Sequence, residues 1–427
     1  MRDIILFCFI FAALPFAVKR PFIGVILFTW VSLMNPHRLT YGAAYSFPFE
    51  AMIVGVTVIG IFFSKEKMRF QATACVIALI TLCLWMSVTT LFAMEPERAW
   101  NEWSRVMKTM CLFGVILFCT NTKKQIQQFA GIIALSIGFF GVKGGIFTIL
   151  TAGNSHVYGP EGSYISDNNA LALALLMALP IMWYLWLESK RKWVKIGFLL
   201  MVGLSSIAVV GSYSRGAILG GTAIILFLLL KSKHRIRTGL ILLLIVPICM
   251  SIMPNQWFER MHSIDNYSAD SSALGRLNAW QYAVNVANSS VTGGGFDCFT
   301  PRLFLVFAPE PRNHHAAHSI YFQVLGEHGY IGFILFLLFI FLAWRSGSRI
   351  IAFCKNRPDE EWASNLAAMC QVSMIGFAVG GAFLTMAYYD LFYDVVALLV
   401  LLEKFLLHPK KMTTTTDSPI QPELQEG

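Results

Sequence analysis

Charged side chains are scarce in this sequence, and their scarcity limits the class of protein. Of its 427 residues, 13% are Asp, Glu, Lys or Arg, whereas 56% are hydrophobic and 14% are aromatic. One globular core cannot bury so much apolar surface, which excludes an ordinary soluble protein. Apolar runs of roughly 17 to 25 residues recur along the chain, and helices of that length cross the hydrocarbon core of a bilayer. The composition therefore predicts an all-α polytopic membrane protein.

Three other features are missing from the sequence. Only one of the nine cysteines, Cys298, lies in the long polar interval 254–319, so no disulfide is expected within that interval. No small-residue cleavage site follows the first apolar run, 4–18, which favours an uncleaved anchor over a secretory signal. No internal repeat is visible, although repeats are typical of transporters. A membrane-embedded protein with one large polar segment remains.

The apolar runs predict about 12–13 transmembrane helices. The candidate spans are 4–18, 21–34, 48–63, 71–92, 105–120, 127–150, 170–187, 196–211, 216–231, 238–253, 320–343, 366–386 and 390–407. They divide the chain into an N-terminal transmembrane bundle of about nine or ten spans (1–253), a large outer loop with short helices (254–319), C-terminal transmembrane helices (320–407) and a disordered cytoplasmic tail (408–427).

Basic residues predict the side of the membrane on which each connection lies. Connections rich in Lys and Arg alternate with connections that contain no lysine, and the positive-inside rule places the first set in the cytoplasm and the second outside. The net charge of +9 thus follows from topology, and no nucleic-acid partner is expected. The side of the N-terminus stays open. Three separate spans before Lys65 would put it outside, whereas one re-entrant element over 4–34 would put it inside. The basic connections are 65–69, 123–124, 190–195, 231–237, 345–357 and 404–411, and those without lysine are 93–104, 151–169, 211–215, 254–319 and 387–389.

Two arginines stand out on the predicted outer side. Arg215 lies between two spans without lysine neighbours, and an arginine so close to hydrocarbon is a functional candidate or else extends to lipid phosphate. Arg276 lies near the start of a helix-like stretch in the outer loop, and an exposed loop arginine is an equally open interpretation. Two guanidinium groups on one side of the membrane suit a diphosphate, because each can pair two oxygens at once. The apolar face predicted for the same stretch, against the membrane surface, consists of Leu277, Trp280, Val284 and Ala287.

A histidine stands where the next span begins. If His318 lies at a helix N-terminus, the helix dipole disfavours its protonated form, and a neutral imidazole can act as a general base on a hydroxyl group. The alternative is a metal site, because His314 and His318 are four residues apart. Pro311 and Asn313 indicate that His314 still lies in a loop, so the sequence favours a base and no metal.

Several other polar residues are candidates for supporting roles. Lys143, inside a span, could reach a phosphate or extend to the lipid surface. Asp167 and Asn169 either cap the next helix or belong to the site, and capping is favoured. Glu327 lies about two and a half turns beyond His318 and faces roughly the other way, so it is expected to orient another helix or bind backbone. Tyr321, three residues after His318, is a further supporting candidate. Asp390 and Asp394 flank the last outer turn, and the sequence does not decide whether they belong to the site. Gly293, Gly294 and Gly295 predict a flexible turn rather than a phosphate loop.

These residues resemble a known family. Ser214, Arg215 and Gly216 between two spans, Gly275 and Arg276 in the outer loop, and His318 and Ser319 followed by Glu327 and Gly329 are similar to the O-antigen ligase and polymerase superfamily over about residues 200–345. A narrower resemblance is to O-glycosylation ligases associated with exosortase A systems. The segments that carry it are 19–24, 33–38, 159–163 and 167–169.

The resemblance implies a membrane-embedded GT-C glycosyltransferase in a bacterial inner membrane, surrounded by membrane lipids, with its active site facing the periplasm. Its donor would be a polyprenyl-diphosphate-linked glycan, and the acceptor a glycan, a lipid or a protein. Neither a metal, a nucleotide sugar nor another cofactor would be needed. Carried over to this sequence, Arg215 and Arg276 would bind the donor diphosphate, and His318 would deprotonate the acceptor hydroxyl.

Two rival functions are weighed against transfer to a separate acceptor. A polysaccharide polymerase of the same superfamily needs the same base and anion site, so the sequence does not separate the two. A transporter of lipid-linked sugars would place charged residues in several spans, whereas here they gather at one face.

Overall fold

The computed structural model describes residues 2–64, 71–231, 253–262 and 271–407. It is 78% helical, and the described ranges contain no strand. The helices are α1 (Arg2–Lys19), α2 (Pro21–Met34), α3 (Phe49–Phe63), α4 (Ala74–Leu91), α5 (Pro96–Cys119), α6 (Lys123–Leu150), α7 (Asn168–Glu188), α8 (Lys192–Gly211), α9 (Arg215–Lys231), α10 (Asn255–His262), α11 (Ser271–Ser289), α12 (Pro301–Phe307), α13 (Ile320–Cys354), α14 (Glu361–Gly380) and α15 (Asp390–Leu407). Short 3-10 turns occupy Pro36–Leu39, Pro358–Glu360 and Gly381–Phe383.

The prediction of an all-α polytopic membrane protein is confirmed. Twelve of the predicted spans coincide with helices of the structure, while 238–253 lies outside the described residues except for Met253, as does the predicted tail 408–427. Shorter apolar helices are Pro21–Met34, Phe49–Phe63 and Arg215–Leu229. In the described ranges, 6 helical segments are long and apolar enough to cross a membrane: Ala74–Leu91, Lys123–Leu150, Asn168–Glu188, Lys192–Gly211, Ile320–Cys354 and Pro358–Phe383.

The centre of the bundle contains α7, which is apolar on every side. Along α7, Ala and Leu alternate without a polar stripe, and 72% of its apolar window is buried inside the protein. A helix of this kind is stable only away from water, among other helices or in lipid. Most side chains of α15 are likewise buried, whereas α8 turns apolar side chains such as Leu199 and Leu200 outward. Outward-facing apolar groups are what a helix at the lipid boundary requires.

The turn that contains His318 lies at one end of the bundle, which we call the His318 end. The amide of Val157 donates to Gly211 O, and the amide of Met94 donates to Gly294 O. These contacts join connections that lie far apart in the chain.

The N-terminus lies at this same end. Three separate helices precede Lys65, and the Asp3 carboxylate accepts hydrogen bonds from the amides of Gly42 (3.1 Å) and Ala44 (3.2 Å), between α2 and α3. Gly162, in the connection before α7, lies against Arg38 from the connection between α2 and α3. Residues 4–34 thus form two helices, α1 and α2, which contact each other and are separated at Arg20, and the hydrogen bonds of Asp3 join the start of α1 to the connection after α2.

Helix α13 contains a kink that positions its first turns. Gly329 has φ 65° and ψ −171° inside the helix, and Gly293 opposite it has φ 67°. The amides of Gly294 and Gly295 donate to Gly326 O and Glu327 O, both at 2.8 Å. The three-glycine segment is thus a turn, as predicted. It pairs with the backbone of α13 instead of binding a phosphate.

Replacement of Gly329 by alanine should destabilise the protein. A Cβ atom there would lie 2.4 Å from Val291 O, and the left-handed backbone disfavours any side chain. Strain of this kind costs roughly 1–3 kcal/mol, so the midpoint of thermal unfolding in detergent should fall. Gly55→Ala is the matched control, because nothing lies within 4 Å of a Cβ at that helical position. Equal unfolding midpoints for Gly329→Ala and the wild type would contradict this account.

Candidate active site

His318 lies in the turn that leads into α13. Its amide donates to Thr385 Oγ1 at 2.8 Å, and the carbonyl of the preceding Ala317 accepts a hydrogen bond from Trp280 Nε1 at 2.9 Å. Its φ of 42° is in the left-handed region, which few residues other than glycine adopt. Ser319 is the N-cap, so the prediction that a helix starts beside His318 is confirmed. Contacts with two distant segments hold the strained backbone in place.

The surroundings of His318 lower the pKa of its imidazole. Burial of the half-buried ring is the largest cause, and the positive charge of Arg276 and then His315 lower the pKa further. Asp167 acts in the opposite direction. A lowered pKa favours the neutral imidazole, which is the form that a general base requires.

The helix that bears Arg276 packs closely on the 310–318 segment, and the positive charge of Arg276 acts on His318. A Cβ on Gly275 would lie 2.5 Å from His315 Nε2, so only glycine admits this approach. Asn278 Nδ2 donates to Asn313 O at 2.8 Å and to Glu310 O at 2.9 Å, and Asn278 Oδ1 accepts from the Glu310 amide at 2.9 Å. These three hydrogen bonds fix the register of α11 against the segment that carries His318.

The side of α11 that packs inside the protein is not the apolar face predicted to lie on the membrane surface. The fully buried side chains are those of Ala279, Tyr282, Ala283 and Val286, whereas Leu277 is 47% exposed. Tyr282 OH donates to Cys298 O at 2.6 Å, and its ring stacks on Phe304. The helix packs on these loop residues and on α13, and contact of the Leu277 face with a membrane stays a prediction.

Arg215 is the first residue of α9 and is half-buried. The buried Ser214 before it accepts a hydrogen bond from the Ala217 amide at 3.2 Å, which caps the helix. A Cβ on Gly216 would lie 3.3 Å from Phe383 Cβ. Thr385, which binds the His318 amide, follows two residues later. The 381–385 segment therefore contacts both the helix start that bears Arg215 and the turn that bears His318.

Asp167 caps α7, as predicted, and its charge also acts on His318. Its carboxylate accepts from the amides of Asn169 (2.6 Å) and Ala170 (3.1 Å). The adjacent Asn168 donates to Ser212 O at 2.6 Å, joining the start of α7 to the turn before Arg215. Asn169 Nδ2 donates to Asn168 Oδ1 at 3.2 Å.

Within the described residues, none of the hydrogen bonds found for the remaining candidates involves His318. Glu327 is buried and accepts from Tyr388 OH (2.6 Å) and the Asp297 amide (3.2 Å), which are the contacts expected of an orienting carboxylate. Tyr321 OH donates to Ala378 O at 2.8 Å. Lys143 is exposed about two turns before the end of α6. Asp390 accepts from Thr109 Oγ1 at 2.8 Å and from Ser32, and Asp394 is buried.

The contacts of His314 and His315 concern the alternative that this segment binds a metal ion. His314 Nε2 lies 2.9 Å from Phe299 O, and the His315 ring packs on Gly275. Within the four described ranges, no group of three or more His, Cys, Asp and Glu side chains could hold a metal ion.

Sequence reasoning missed His328, Tyr388 and Thr385. His328 is fully buried, with Nδ1 2.7 Å from Thr89 Oγ1 and Nε2 2.9 Å from Tyr388 OH. An ionisable residue inside an apolar helix is a signal that could have identified it. Tyr388 and Thr385 carry no such signal, because their contacts are with residues 60 or more positions away.

Two family models match the chain. Residues 1–190 match a family of unknown function (DUF5935), and residues 200–337 match a family described as O-antigen ligase. No curated protein matches the chain. Arg215, Arg276 and His318 all lie within the second match, whereas Asp167 lies within the first. The association with exosortase systems stays a prediction.

Proposed function

We propose that the chain, whose residues 200–337 match a family described as O-antigen ligase, is a membrane glycosyltransferase of that superfamily. It transfers a glycan from a polyprenyl-diphosphate carrier to an acceptor hydroxyl at the periplasmic face of a bacterial inner membrane. One observation carries the proposal. The 381–385 segment contacts both the turn of His318 and the helix start of Arg215, and burial and the charge of Arg276 lower the pKa of His318.

In the proposed reaction, the acceptor hydroxyl gives its proton to the neutral imidazole of His318 while its oxygen bonds to the anomeric carbon of the glycan. The bond between that carbon and the diphosphate oxygen breaks, and its electron pair leaves with the polyprenyl diphosphate. Arg215 and Arg276 stabilise the charge that grows on the leaving diphosphate. Direct displacement inverts the configuration at the anomeric carbon. Since two guanidinium groups neutralise the diphosphate, the proposed reaction requires no metal and no nucleotide sugar.

The proposal is tested by glycan transfer with purified protein in liposomes. Polyprenyl-diphosphate glycan is supplied with EDTA present, together with candidate glycan, lipid and protein acceptors. Transfer to a separate acceptor supports a ligase, and a protein acceptor identifies O-glycosylation. Extension of one lipid-linked glycan by another identifies the polymerase alternative. Absence of any new glycosidic bond with every acceptor and with the donor alone would overturn the assignment.

The dependence of transfer on pH should follow the lowered pKa of His318. A base must be unprotonated, so the acid limb of kcat/KM should fall below about pH 6.5, the usual pKa of histidine. Asp167→Asn removes a charge that raises the pKa of His318, so the limb should move to still lower pH. Asparagine remains a good N-cap, which preserves the start of α7. A limb that moves to higher pH in this variant would contradict the proposed electrostatics.

A further inference from the structure

Two sequence motifs that the proposed reaction does not use meet at the His318 end. One is the segment 33–38, which ends in Arg38, and the other is the segment 159–163. A Cβ on Gly162, which has φ 71°, would lie 3.2 Å from Tyr45 OH and 3.4 Å from an Arg38 guanidinium nitrogen. Only a glycine fits closely against both side chains in that backbone conformation. The fold thus brings together residues that are more than 110 positions apart.

Arg38 is held in a fixed orientation. A left-handed Asn35 ends α2, and the Arg38 amide donates to Asn35 O at 3.0 Å within the following 3-10 turn. The guanidinium carbon lies 4.7 Å from the centre of the Tyr45 ring, a distance typical of a cation–π contact. The stack fixes the plane of the guanidinium group before any ligand arrives.

The hydrogen-bonding capacity of Arg38 is not used within the described part of the chain. Its Nε is buried without a hydrogen-bond partner, and its guanidinium group forms no ion pair with a described carboxylate. Glu50 is within electrostatic range of Arg38 but forms no ion pair with it, and Asp390 is bound by Ser32 and Thr109. A buried donor without an acceptor destabilises the protein, and a bound anion would remove that cost. A guanidinium fork suits the two oxygens of a carboxylate or a phosphate.

The opposite side of this site is a closed loop that leads to the base. The Gly159 amide donates to Ser166 O at 3.2 Å, and the Ser163 hydroxyl donates to Pro160 O at 2.7 Å. The loop ends at Asp167, whose charge acts on His318. The ring of Tyr164, in this loop, lies 5.9 Å from the ring of Tyr389. Tyr389 follows Thr385, which binds the His318 amide, by four residues. The two motifs are therefore connected to the base through both the loop and the 385–389 segment.

We propose that Arg38, Tyr45 and the 159–166 loop form the subsite that binds an anionic group, a carboxylate or a phosphate, of the acceptor substrate. This inference rests on the proposed function. Arg276 and Asp167 both act on the His318 imidazole but belong to different parts of the chain. The donor-binding arginines and the base lie in the O-antigen ligase match, while every residue of the new subsite lies in the match to a family of unknown function. The anionic group of the acceptor is thus held by residues of the first match, and the donor diphosphate by residues of the second.

Anion binding tests the subsite without a known acceptor. Binding of inorganic phosphate is measured on full-length protein in detergent that carries Arg215→Gln and Arg276→Gln, so that the proposed donor site is disabled. We expect phosphate still to bind, and addition of Arg38→Gln to weaken it by at least about tenfold, as loss of a charge-assisted hydrogen bond does. Arg312→Gln, at an exposed loop arginine, is the matched control and should leave binding unchanged. Displacement of phosphate by acetate identifies a carboxylate ligand, and resistance to acetate identifies a phosphate. Phosphate binding that is absent, or equal with and without Arg38→Gln, overturns the subsite.

Transfer kinetics separate this inference from the proposed function. In a protein with intact donor arginines, Arg38→Gln should raise KM for the acceptor at least about tenfold while KM for the donor stays unchanged. Arg38→Lys keeps the charge, so its KM for the acceptor should lie between those of the wild type and Arg38→Gln. An unchanged acceptor KM overturns the subsite alone, whereas absence of transfer by the wild type overturns the function and leaves the anion-binding result standing.

Discussion

Replacement of His318 by asparagine should abolish glycan transfer in a protein that still folds. Removal of a general base costs typically 10²–10⁴-fold in rate, roughly 3–5 kcal/mol of transition-state stabilisation. Asparagine tolerates the left-handed backbone at this position better than alanine does. The hydrogen bond to Thr385 comes from the backbone amide, so it survives the substitution. The measurement is initial transfer rate with EDTA present, alongside the midpoint of thermal unfolding.

His314 provides the matched control for this experiment. It lies four residues before His318, and its ring contacts the Phe299 carbonyl and the Phe304 ring. His314→Asn should therefore retain most of the transfer activity. Equal activity of the His318 variant and the wild type would refute the role of base. Loss of activity with EDTA, and with either histidine variant, would instead support a metal site at His314 and His318.

Replacement of either donor arginine should reduce kcat/KM for the lipid-linked glycan. Loss of a hydrogen bond between charged groups costs about 1.5–3 kcal/mol, so Arg215→Gln and Arg276→Gln should each lower kcat/KM by roughly 10- to 150-fold. Lysine at either position should restore only part of kcat/KM, because an ammonium group cannot pair two oxygens in one plane. Initial rates over a range of donor concentrations give the two constants.

The pH dependence distinguishes the two arginine variants. Arg276 lowers the pKa of His318, so Arg276→Gln should also move the acid limb of kcat/KM to higher pH. Arg215 is not among the charges that shift this pKa, so its variant should keep the wild-type limb. Arg312→Gln should change neither constant. Identical pH profiles for Arg276→Gln and the wild type would contradict the placement of Arg276 beside the base.

The sequence predicts the helices well because a bilayer requires long apolar runs. Such a run is a local pattern, and twelve predicted spans coincide with helices for that reason. His318 was found because a polar interval ends there, and Arg215 and Arg276 because isolated arginines on one side of a membrane are conspicuous. Other features depend on distant contacts. The kink at Gly329, the buried face of α11 and the Thr385 contact each require knowledge of which segments meet.

The pairing of the glycine turn with α13 governs how this protein can be divided or recombined. Gly294 and Gly295 belong to the outer loop by sequence, yet their partners are backbone atoms of a membrane helix and, through Met94, the start of another. Asp297 adds an ion pair between the same loop and α5, because its carboxylate lies 2.7 Å from Arg98 Nη2. A loop bound in this way cannot be expressed alone as a soluble fragment with its native shape. Chimaeras that exchange it between relatives must carry the 94–98 and 326–329 segments along with it.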